Sequence, residues 1–249
     1  MDIDLKAGLV TLRVLYRGPE GATKFLNLRG LHASSDPSER DCLSVMRTEE
    51  DTIVTFPLTA PDELPLLGLK VRFQAIAAPG RVHASAVERL LLLAADAVVF
   101  LPERAAPAGR TSRTALEELV AELTACGRQP GEVPLLIQDY VDGNPRLQPR
   151  HISDEVNAWA PRFMAVQGDT QDCVRLVFDA AREAVRVRVE GLERDLGEEG
   201  AREAVARRFV LPGGAPPAPR SQSRDHLVLL AALFAILAAI GAVIFALAV

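Results

Sequence analysis

The chain reads as an α/β domain: a mostly parallel sheet with helices on both faces and one antiparallel edge, followed by a separate apolar C-terminal segment. Three observations predict this. Short apolar runs recur at "DAVVFLP" (96–102), "VPLLIQDY" (133–140) and "FMAVQ" (163–167); strands covered on both faces have this near-continuous composition. Segments with helical spacing stand before or between them, at "ASAVERLLLLAA" (84–95) and "RTALEELVAELTACG" (113–127), and strands alternating with helices imply parallel βαβ connections. Finally, 249 residues at 49% apolar composition can bury the core of one ordinary domain with length to spare.

In chain order, "LVTLRVLY" (9–16) is the first strand. The stretch after it, Tyr16 to Leu28, has the look of a phosphate-binding loop whose key positions have changed, and it runs into residues able to open a helix. "TIVTFPLT" (52–59) and "LKVRFQAIAA" (69–78) are two further strands with Gly68 in a turn between them, which predicts a hairpin. The helix over 113–127 closes on Gly127, a residue suited to a left-handed C-terminal cap. "HISDEVNAW" (151–159) predicts a short helix starting near Ser153 or Asp154, and a long helix is expected from about Thr170 to Leu196.

The net charge of −5 supplies no basic field to displace counterions, so a nucleic-acid partner is not expected. Cys42, Cys126 and Cys173 are odd in number and form no CxxC pair, which predicts reduced thiols rather than a disulfide framework or a zinc site. His32, His83, His151 and His226 are dispersed without ligand spacing. No Ser-His-Asp, Cys-His or paired-carboxylate pattern points to hydrolysis by side-chain chemistry.

The N-terminal stretch "MDIDLKAGLV" has no long apolar region of the kind a secretory signal carries. From Leu227 to Val249 the chain is uncharged and almost wholly apolar. A helix of that length covers roughly 34 Å, enough for a hydrocarbon core of about 30 Å. Arg207, Arg208, Arg220 and Arg224 precede it, and positive charge at a membrane end stays cytoplasmic. The expectation is a tail-anchored protein: a domain over 1–208 in the cytoplasm, a Pro/Gly/Ser-rich tether over 209–226, and a single membrane span from Leu227 to Val249.

Four stretches carry a family resemblance: "VLYRGPEGATKFLNL", "TEEDTIVTFPL", "GLKVRFQAIAAPGRVHASAVERLLLLAADAVVF" and "VPLLIQDYVDGNP". In order and spacing, over about Leu9 to Ala184, they resemble the bacterial Ras-like GTPases of the gliding-motility and polarity family, the MglA type. The resemblance implies a Ras-like, P-loop-type G domain. It also assigns the candidate nucleotide-contacting positions: Gly18, Pro19, Gly21, Thr23 and Lys24 in the phosphate loop, Pro79, Gly80 and Arg81 in the Pro-Gly turn, and Asp142 in the loop that reads the base.

Those positions depart from the family pattern in ways that matter chemically. In such a loop, glycines admit the phosphates to backbone N–H groups, a lysine neutralises charge and a hydroxyl holds Mg²⁺. Thr23 replaces the glycine before the lysine, Phe25 replaces the hydroxyl, and Glu20 adds a carboxylate facing polyphosphate. The Asn-Lys-x-Asp positions read Tyr140-Val141-Asp142-Gly143, and the water-orienting glutamine is Arg81, which has no acceptor.

The bland reading of Lys24 is a solvated surface lysine; of Arg81, a surface ion-pair residue; of Asp139, Asp142 and Asp169, turn residues. "RLLLLAA" reads as core. The expectation is a membrane-anchored pseudo-GTPase with no cofactor, serving as a protein-docking module. Its partners, by the resemblance, would be roadblock-type regulators or polarity and motility proteins at the switch-like loops. The alternatives are an active GTP switch, using GTP/GDP with Mg²⁺ and ordering Asp51–Leu58 and Gly80–Ala86, and a nucleotide-independent membrane scaffold.

Overall fold

The computed structural model describes residues 1–19, 22–47, 52–59, 65–78, 86–103, 109–129, 131–140, 162–166 and 171–207. The chain divides into two units, 1–212 and 213–249, and all described residues lie in the first. In chain order they form β1 (Asp2–Asp4), β2 (Leu9–Arg17), α1 (Lys24–Ser34), β3 (Ser44–Arg47), β4 (Thr52–Leu58), β5 (Lys70–Ala77), α2 (Ala86–Ala94), β6 (Ala97–Phe100), α3 (Gly109–Ala125), β7 (Leu135–Tyr140), β8 (Arg162–Val166) and α4 (Gln171–Arg207).

The sheet is mixed and mostly parallel, in the order β3-β4-β5-β2-β6-β7-β8, with β1 alongside β2. Strands β5, β2, β6, β7 and β8 run parallel. β2 is central and covered on both faces, with one face wholly apolar and the other mixing Leu15 with Thr11, Arg13 and Arg17. Val10, Leu12, Val14 and Tyr16 join the core that Leu28 and Leu31 of α1 and Val177, Phe178, Val185 and Val189 of α4 complete. Leu15 faces the other core, built from Leu92 of α2 and Leu116, Leu119, Val120 and Leu123 of α3. Helices therefore cover both faces.

The antiparallel part is larger than the single expected hairpin. β4 pairs with β5 as predicted, but β3 extends that ribbon and β1 adds an antiparallel pairing to the first half of β2. Both were missed for the same reason. β1 is three residues, two of them acidic, and β3 is four residues with alternating exposure, too short for a period-2 signal to emerge.

Two turns fell where glycine predicted them. In the β4–β5 connection, Leu66 and Leu69 exchange backbone hydrogen bonds of 3.0 and 2.9 Å around Leu67 and Gly68, both at positive φ (53° and 68°), the backbone of a tight mirror-image hairpin turn. At the end of α3, Gly127 has φ 74°. Gly127 N–H bonds Thr124 C=O at 2.9 Å and Arg128 N–H bonds Leu123 C=O at 3.0 Å, which together make a Schellman cap.

The last helix is interrupted at Gly197 (φ 72°, ψ 168°). Its first part thus ends at Leu196, as expected. The segment beyond, to Arg207, is helical, as the helical period of mixed charges over 178–209 suggests, but it is not a purely solvated helix. It packs Ala201 into the core, and Arg202 Nη2 donates to Leu67 C=O at 2.6 Å. The short helix read at 151–159 lies outside the described residues, as do the tether and the Leu227–Val249 span. Among the described residues, no helix is long and apolar enough to cross a membrane.

Candidate functional site

In open sheets of this kind ligands bind beyond the carboxyl ends of the parallel strands. β2 ends at Arg17, and the loop after it starts at Gly18. The backbone of the neighbouring strand end is very close here: Leu101 N–H bonds Arg17 C=O at 2.8 Å, and a Cβ on Gly18 would lie 2.1 Å from Leu101 O. Only glycine fits such an approach.

Pro19 then turns the chain, its C=O accepting from Ala22 N–H at 3.0 Å. Thr23 stands at the N-cap of α1 but makes no side-chain capping bond; its hydroxyl oxygen instead accepts from Asn27 Nδ2 at 3.2 Å. The first turn of α1 carries no acidic residue, so no carboxylate of that turn neutralises the positive end of its dipole.

Lys24 is not a solvated surface lysine. It is 1% exposed, and its ammonium donates to Gly18 C=O at 3.0 Å and Pro19 C=O at 2.6 Å. A buried cation is tolerated when polar oxygens replace its water, and the loop wraps its own carbonyls around this one. Phe25 is half-buried and packs against the α1/α4-side core. One turn on, Asn27 accepts from Gln138 Nε2 at 2.9 Å, joining α1 to the end of β7. Gln138 is fully buried, and its Oε1 has no hydrogen-bond partner among the described residues.

On the opposite face of the same strand end, Arg17 is 7% exposed. Its guanidinium meets Glu88 of α2 at 2.6 Å and Glu122 of α3 at 3.1 Å. The first turn of α2 is thereby tied to the residue that precedes the loop.

The structure thus gathers Gly18, Pro19, Thr23 and Lys24 into one loop. Glu20, Gly21, Pro79, Gly80, Arg81 and Asp142 lie outside the described residues, as do Val141 and Gly143. Sequence reasoning missed Asn27, Gln138, Arg17, Glu88 and Glu122. A signal existed for two of them, since Arg17 and Glu88 are charges inside otherwise apolar runs. "RLLLLAA" is core at Leu92 and Ala95, while Leu90 and Leu93 are half-buried.

Among the described residues, no group of three His, Cys, Asp or Glu side chains could hold a metal ion. Cys42 is exposed and Cys126 half-buried, both free. Burial pushes the Cys126 thiol up, helped by the Glu122 carboxylate, the opposite of an activated nucleophile. The chain matches no protein-family model and no curated protein.

Proposed function

We propose that the chain is a pseudo-GTPase of the Ras-like, MglA type, held at a membrane by residues 227–249 and acting as a protein-docking module. The observation that carries this reading is the state of the loop after β2. Lys24 is already satisfied by the carbonyls of Gly18 and Pro19, and the side chain that follows it is a phenyl ring packed on the core. A phosphate must displace those carbonyls to reach the ammonium, and Phe25 offers no ligand to Mg²⁺. Mg²⁺-GTP does not fit the residues present. The sheet order, with this loop at the carboxyl end of the central strand, supports the Ras-like part of the reading.

Of the two switch-like stretches expected, Asp51–Leu58 is not a loop, since Thr52–Leu58 is β4, paired with β3 and β5. The docking surface in this reading centres on residues 80–86, and its partners are proteins: roadblock-type regulators or polarity machinery by analogy. One observation favours the alternative of an active GTP switch, namely that Gly18 and Lys24 keep a close-packed loop at a helix start.

A repair experiment separates the two. The Thr23→Gly/Phe25→Thr pair restores the loop's backbone access and hydroxyl but leaves Tyr140–Gly143 altered. Binding of a fluorescent guanine nucleotide with Mg²⁺ should improve little in that variant. Micromolar affinity from this pair alone would overturn the view that both the phosphate and the base sites are lost.

A further inference from the structure

We infer that Arg17, Glu88 and Glu122 form a latch that fixes α2 against the end of β2 through the chain's own charges, with no nucleotide required. Arg17 is the last residue of β2 and turns toward α2 and α3, away from the face on which Tyr16 packs. Its Nη1 lies 2.6 Å from Glu88 Oε1 and its Nη2 3.1 Å from Glu122 Oε2. One planar guanidinium can serve two separate carboxylates because its donors point in fixed, divergent directions.

Glu88 stands in the first turn of α2, where the helix dipole also favours a carboxylate, and its side chain is 1% exposed. α2 has nine residues, a length that is marginal without tertiary anchors. Leu92 anchors it from within the core, with Val87 and Leu91 leaning on the same cluster. The charge cluster adds an anchor at the end of α2 that follows residues 79–85. In a nucleotide-driven switch, segments of that kind are ordered by the bound phosphate and metal; here the first turn of α2 is held by Arg17.

The inference rests on the docking-module reading for its purpose: a latched α2 presents the same surface at all times. Amide hydrogen exchange on the full chain in detergent tests it, following peptides of α2 against those of α1 and β5. Arg17→Met and Glu88→Gln should each raise exchange in α2 by about tenfold or more while α1 and β5 keep wild-type protection. Unchanged exchange in α2 of a folded variant would overturn the latch. So would a rise shared equally by α1 and β5, or the failure of both variants to fold, since these place the cluster in global stability. Mg-GTP should leave wild-type α2 exchange unaltered, and a rise or fall on its addition would also overturn the latch. Saturable nucleotide binding without such a change would overturn the docking-module reading and leave the latch standing.

Discussion

Gly18 is where the central strand, the loop and the neighbouring strand end come closest. Its missing side chain lets Leu101 O approach to a point 2.1 Å from where a Cβ would stand. The obstacle is backbone, so it cannot rotate away. Gly18→Ala should cost about 3 kcal/mol, read as a lower urea midpoint at unchanged m-value. A wild-type midpoint would show that this approach does not constrain the loop. Lys24 shows why some of the site was not legible. Propensity places lysine at the surface, and nothing in "GATKFLNL" tells that two loop carbonyls replace its water. The bond between Asn27 and Gln138 crosses 111 positions of sequence, a distance over which local pattern carries no information.

At the scale of elements, periodic or continuously apolar segments were legible, the four-residue β6 among them, and short strands of mixed polarity were not. β2, β4, β5 and β7 came from their composition, and the end of α3 from Gly127. β1 and β3 depend on tertiary pairing, and the helix after Gly197 was legible in its charge period but not in its packing of Ala201. Met1, just before β1, and the middle of β2 are held by one buried carboxylate. Asp96 receives Arg13 N–H at 2.9 Å and the Met1 amine at 2.6 Å, with Arg188 of α4 at 3.8 Å. Burial pushes its pKa up, but the amine, Arg188 and these hydrogen bonds outweigh burial and hold it below the usual carboxylate value. A depressed pKa in the folded state means that the carboxylate's stabilisation is full above about pH 4 and is lost as pH falls through the folded value. Asp96→Asn should therefore cost about 3 kcal/mol at neutral pH. The cost should shrink in acid, so that variant and wild type converge. Parallel stability curves down to pH 2 would show that Asp96 carries no acid-sensitive share.

At the scale of the whole molecule, a mostly parallel sheet covered on both faces follows from short apolar runs such as 97–100 and 135–137 alternating with helices, and that much was legible. The larger antiparallel edge was not, since β1 and β3 announce themselves only once β2 and β4 are in place. The functional reading depends on what the fold retains at the carboxyl end of β2. A glycine admits a close backbone contact, a lysine is turned inward, and the phenyl ring that follows it packs on the core. Arg17, Glu88 and Glu122 hold α2 from the other side of the same strand. Taken together these features favour a fixed docking surface over a nucleotide-operated one. The most direct test is isothermal titration of the folded full chain, in detergent, with Mg-GTP and with Mg-GDP. The account predicts no saturable heat at protein concentrations of about 100 µM, a level at which even a weak micromolar site registers. A saturable isotherm for either nucleotide would contradict it and return the chain to the class of working switches.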